Sequence, residues 1–141
     1  MDLIEFQDLP NTDTPINSEN LNYNFKKLNK ANTYSEEEQV IGDWINNKPI
    51  YRKVIEVSQY SNGFKEIAVN IANVETIISL RGMAQKGNEA FAIPSAYNSS
   101  YFDPVVAVIN GTTLTSLRLN STSDRTSYYG FLIVEYTKTT D

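Results

Sequence analysis

The pattern of apolar positions changes after Tyr34. Leu21, Phe25 and Leu28 recur at i, i+4 and i+7, which predicts one apolar stripe on a short helix. Asn17 or Ser18 can cap its start, with Glu19 in the first turn. The helix would be about three turns long, too short to hold alone in water. Its stripe needs a partner, either the rest of the chain or a copy of itself. After Tyr34 the pattern changes. Val40, Ile41, Trp44 and Ile45 lead into Asn46-Asn47, and Ile50, Tyr51, Val54, Ile55 and Val57 follow. Two asparagines in a row tolerate the positive φ that a hairpin turn requires, so the pair reads as a β-hairpin.

Further strands follow at short spacing. Asn62-Gly63 reads as a turn, and Ile67, Val69 and Ile71 then alternate as in a half-buried strand. "VETIISLRGMAQ" predicts a strand ending near Gly82. "NEAFAIPSAYNSSYFDP" predicts a short strand and an aromatic loop. "VVAVINGTTLTSLRL" predicts a hairpin hinged on Asn110-Gly111, "NSTSDRTS" a polar loop, and "YYGFLIVEYTKTTD" a long strand. Seven or eight strands with turn signals between them give an all-β class, a jelly-roll-like domain or a β-sandwich, preceded by a short N-terminal α-helix. The expected division is residues 1–33 as an attachment segment with the helix, and 34–141 as a β head.

Composition narrows the chemistry. With 141 residues and a net charge of −5, the chain carries no basic stripe for a phosphate backbone, so nucleic acid is not an expected partner. No apolar run approaches the ~20 residues that span a bilayer, and the acidic start "MDLIEFQDLP" is not a secretory signal. Histidine and cysteine are both absent. That removes the commonest acid–base group, the commonest metal ligands and any disulfide framework. No calcium loop of the D-x-D-x-D-G type appears. No cofactor and no metal are expected. Catalysis would have to rest on carboxylates, Lys, Tyr or Ser-Lys pairs, and no glycosidase motif frames any carboxylate pair here.

Two loops mix aromatic faces with short polar groups, as saccharide sites do. "SAYNSSYFDP" offers Tyr97, Asn98, Tyr101 and Asp103. "NSTSDRTSYY" offers Asp124, Arg125 and Tyr128, with Arg125 able to grip an anionic group. Each also reads as an ordinary surface loop. Trp44 beside Tyr51 could form a sugar platform, but an aromatic anchor in the core or at a subunit interface is the preferred reading.

Three stretches carry a resemblance. "DLPNTDTPINSENLNYNF" is similar to a segment common near the N-termini of tail fibre and baseplate proteins of phages that infect Gram-positive bacteria. "YSEEEQVIGDWINNKPIYRKVI" resembles the opening of the distal head domain in such proteins, through Tyr34, Glu37, Glu38, Val40, Gly42, Trp44, Lys48, Pro49, Tyr51 and Lys53. Asn46-Asn47 stands where that pattern has Asp-Gly. "FLIVEYTKTTD" resembles the end of the same domain. Together they cover about a third of the chain, whereas Ser58–Ser127 resembles nothing in particular. The resemblance implies a receptor-binding protein at the phage tail tip, made in the bacterial cytoplasm and carried on the virion. It implies a homotrimer, contacts to other tail proteins through the N-terminal segment, and for some members a host cell-wall saccharide. A structural adaptor without a host ligand is the alternative. In a trimer, Leu21, Phe25 and Leu28 would line a three-helix axis, and Trp44 would anchor the first hairpin to the core or a neighbouring subunit.

Overall fold

The computed structural model describes Asn22 and residues 33–97, 100–102 and 104–141; at 95–97, 100 and 101 it describes the backbone only. The helix expected through Leu21, Phe25 and Leu28 lies outside the described residues. From Gln39 onward these residues form ten strands: β1 Gln39–Asp43, β2 Pro49–Val57, β3 Asn62–Ile71, β4 Val74–Lys86, β5 Glu89–Ile93, β6 Ser95–Tyr97, β7 Ser100–Phe102, β8 Val106–Asn110, β9 Thr113–Asp124 and β10 Tyr129–Lys138.

The strands make two antiparallel sheets. The first has the order β1-β2-β10-β4-β5. In the second, β9 pairs with β3 along one edge and with β8 and then β7 along the other, and β6 pairs with β7. Side chains alternate across a strand, and the apolar set of each sheet meets that of the other. Leu132, Val134 and Tyr136 of β10, Ala84 of β4 and Val57 of β2 share one buried cluster with Leu114, Leu117 and Leu119 of β9, Ile71 of β3 and Phe102 of β7.

The two hairpins placed on Asn46-Asn47 and Asn110-Gly111 form there, with Asn47 at φ 62° and Gly111 at φ 62°. Trp44 closes the first turn through its backbone: its N–H donates to Lys48 O at 2.8 Å, and its carbonyl accepts from Asn47 N at 2.8 Å. A branched side chain at position 47 would pay the left-handed backbone penalty. Asn47→Val is therefore expected to lower stability by about 1 kcal/mol, read as a drop in the urea midpoint, while Asn47→Gly leaves the midpoint within a few tenths of a kcal/mol or raises it.

Three expectations are corrected. Asn62-Gly63 is not a hairpin turn. It opens β3 opposite a bulge in β9, where the pairing jumps from Asn62↔Asp124 to Phe64↔Asn120 and Gly63 takes φ 83°. Gly82 does not end its strand but sits in the middle of β4, where β10 passes too close for a side chain. The polar run after Leu119 is not a loop until Asp124. Ser121 faces inward there, and its hydroxyl reaches the carbonyl of Ser123 at 3.0 Å, with those of Ser61 and Gly63 at the limit of bonding distance. Small hydroxyl groups satisfied by backbone let a strand run on where apolar residues have stopped.

Candidate functional site

The second polar-aromatic loop folds into a corner under β9. Asp124 accepts a hydrogen bond from Thr126 N at 2.9 Å, and that bond holds its exposed carboxyl below the usual carboxylate range. Arg125, read as able to grip an anionic group, packs against aromatic rings. Its guanidinium lies 5.0 Å from the Phe102 ring centre and 4.9 Å from that of Tyr128, and Nη1 donates to the Tyr128 hydroxyl at 3.1 Å. Its Nε is buried and has no hydrogen-bond partner among the described residues, and ring faces pack against this cation.

Tyr128 is only 8 % exposed. Phe91 and Phe102 flank its ring, and Lys86 Nζ sits 5.6 Å from its centre. A ring covered in this way offers no stacking face to a sugar. Tyr128, a candidate ligand-binding residue of a loop that also reads as an ordinary surface loop, is instead a plug at one end of the core. Tyr60 completes the plug, edge-on to Phe102 at 5.2 Å, with its hydroxyl donating to Met83 O at 3.0 Å. Burial pushes the Tyr60 phenol well above its ordinary value.

The first loop is itself a hairpin, with Ala96 opposite Tyr101 and Tyr97 opposite Ser100. The side chains of Tyr97 and Tyr101, and the whole of Asn98 and Asp103, lie outside the described residues. Phe102 of this hairpin touches the Arg125 corner, so the two loops neighbour each other. Trp44 is half-buried. Tyr51 is not its stacking partner in a platform: Tyr51 stacks on Tyr136 at 5.9 Å, with Lys138 Nζ 4.6 Å from its ring centre. Burial is the main cause that raises the Tyr51 phenol to about 12.

A different surface combines an open ring with fixed polar groups. On β3, inward Ile67, Val69 and Ile71 turn Phe64, Glu66 and Ala68 outward. On β9, inward Leu117 and Leu119 turn Ser116, Arg118 and Asn120 to the same outer face. The register sets Phe64 beside Asn120, Glu66 beside Arg118, and Val106 of β8 on the far side of Arg118. Phe64 is 59 % exposed and Val106 55 %. With Pro104, Arg118, Leu119 and Asn120 they line a shallow groove of about 240 Å³.

The polar groups here are held in position. Glu66 Oε1 accepts from Ser116 Oγ at 2.6 Å and from Arg118 Nε at 3.2 Å. The Ser116 bond first, and Arg118 second, keep the Glu66 carboxyl below its ordinary value despite some desolvation. The ion pair itself is half in water and adds little stability. Its effect is to fix a guanidinium and a carboxylate beside an uncovered aromatic face. That is the donor, acceptor and apolar mixture that recognises a sugar ring. Sequence reasoning missed Phe64, although the signal was present: Phe64 falls on the opposite parity to Ile67, Val69 and Ile71, an aromatic ring on the polar face of its strand. Among the described residues no group of three or more acidic side chains could hold a metal ion. No protein-family model, no curated protein and no solved structure matches the chain.

Proposed function

We propose that the chain is a receptor-binding protein of a phage tail tip, whose β-sandwich head engages a host cell-wall saccharide as a homotrimer. The observation that carries this reading is the uncovered Phe64 ring beside the fixed Arg118–Glu66 pair. The distribution of the resemblance supports it. The stretches similar to phage head domains form β1, β2 and β10, adjacent strands of one sheet. The groove lies on the other sheet, within Ser58–Ser127, where the chain resembles nothing in particular. A scaffold sheet with a separate reading sheet suits a protein whose partner differs from host to host. Each groove is shallow, so affinity comes from several heads engaging one surface together. No bond is made or broken in this function.

The test is binding of fluorescently tagged protein to intact Gram-positive cells and to their purified wall polysaccharide. Phe64→Ala is expected to weaken saturable binding about tenfold, near 1.4 kcal/mol per site. It should leave the urea midpoint unchanged, because the ring is mostly in solvent. Binding that survives both Phe64→Ala and Arg118→Ala moves the site elsewhere on the head. Absence of binding by the unaltered protein across a broad host panel replaces this reading with that of a structural adaptor.

A further inference from the structure

The outer face of the first sheet has a groove of its own, unconnected with saccharide binding. Along β10, Leu132, Val134 and Tyr136 enter the core, which turns Phe131, Ile133 and Glu135 to the opposite face. The register sets Ile133 opposite Val54 of β2, and Phe131 opposite Met83 of β4. Tyr34, Val54, Phe131 and Ile133 line a groove of about 360 Å³. Beyond Ile133 stands Glu135, paired with Arg52 at 2.8 Å and Arg81 at 3.1 Å. Tyr34 reaches this face because the lead-in runs along β2: Val54 N donates to Ser35 O at 2.9 Å, and the Arg52 guanidinium lies 4.4 Å from the Tyr34 ring centre. Tyr34 and Phe131 remain 59 % and 39 % exposed. The groove is apolar along its length and charged beyond one end.

We infer that this groove is the dock for the chain's own apolar stripe, Leu21, Phe25 and Leu28. The chain enters the described fold at Thr33, and the next residue lines the groove. The segment from Leu28 to Tyr34 spans at most ~20 Å when fully extended, so the stripe is tethered within reach. A short tether presents it at an effective concentration on the order of millimolar, an advantage that a separate copy lacks in dilute solution. A helix laid on an apolar sheet face is a standard way to bury both. The stripe then serves to hold the attachment segment against its own head, rather than to line an axis shared by three copies.

The chain has no cysteine, so an introduced pair reports alone. Full-length protein carrying Phe25→Cys and Phe131→Cys is oxidised mildly at low concentration and run on a non-reducing gel. The expected result is a compact, faster-migrating monomer in more than about half of the chains, reversed by reductant, and formed well ahead of the control pair Phe25→Cys with Phe64→Cys on the other sheet. Should the loss of two aromatic residues unfold the protein, Leu28→Cys with Glu56→Cys asks the same question, since Glu56 is exposed and pairs with Phe131. Disulfide-linked dimers or trimers would overturn the inference by showing a second copy in the groove. A rate no faster than that of the control pair would overturn it by showing the stripe elsewhere. Neither outcome touches the Phe64 groove, so the saccharide reading stands or falls separately.

Discussion

Gly130→Ala is expected to cost about 3 kcal/mol or more, at or beyond the upper end of ordinary overpacking. A Cβ at this position would lie 2.0 Å from the carbonyl oxygen of Met83 and 3.2 Å from Ala84 Cα. These are backbone atoms of β4, so no rotamer change relieves the clash. Nor can β10 retreat, because Gly130 also pairs with Val57 of β2 on its other side. The same close approach recurs at Gly82, where a Cβ would meet Leu132 Cδ2 at 2.5 Å and Phe131 O at 2.7 Å. Domains of this size hold roughly 5–15 kcal/mol in all, so one methyl group removes a large share. The check is the urea midpoint against Gly42→Ala, where nothing lies within 4 Å of the added carbon. Equal midpoints for the two variants would mean that β10 and β4 are not packed this closely.

Glu135→Ala is expected to cost about 2–3 kcal/mol near neutral pH. The Glu135 and Arg52 side chains are each only 12 % exposed, and Arg81 is 42 % exposed. Removing the carboxylate strands the Arg52 charge in a poorly hydrated place. The exposure of Arg81 keeps the cost below that of a fully buried pair. Burial alone would raise the Glu135 carboxyl, but hydrogen bonds from Arg81 and Arg52 outweigh it and hold the group below its ordinary value. A carboxyl depressed in the folded state stabilises above its unfolded value, near ~4.3, and loses that contribution as pH falls through the lower folded value. The gap in midpoint between the unaltered protein and Glu135→Gln should therefore narrow on going from neutral pH to about pH 3. A gap that widens with acid would mean that the carboxyl is not held by the two arginines.

What could be read from residues alone was whatever depends on near neighbours. The turns at Asn46-Asn47 and Asn110-Gly111 are local, since positive φ favours asparagine and glycine whatever packs above them. Asn62-Gly63 carries the same local signal, yet it opens a strand because β9 supplies a partner from across the chain. Gly82 looked like punctuation for the same reason. Its meaning lies in the passage of Leu132 and Phe131, some fifty residues further on. Tyr128 sat among polar neighbours in sequence and under Phe91, Phe102 and Arg125 in space. Phe64 shows the reverse: its exposure follows from strand parity, but its value as a binding face depends on Arg118 and Asn120, which only the β3–β9 register brings beside it.

The placement of β10 between β2 and β4 has a consequence during synthesis. While the ribosome is still upstream of Tyr129, β2 and β4 each present an unpaired edge, and Leu132, Val134 and Tyr136 are not yet available to fill the space between the sheets. The nascent chain must keep two open edges apart until its central strand emerges. Closure then joins residues far apart in sequence, which makes it a slow, non-local step. Chains stalled before Tyr129 are consequently the species most prone to pair with one another, and the yield of native protein depends on how quickly the final hydrogen-bonded rows are threaded into place.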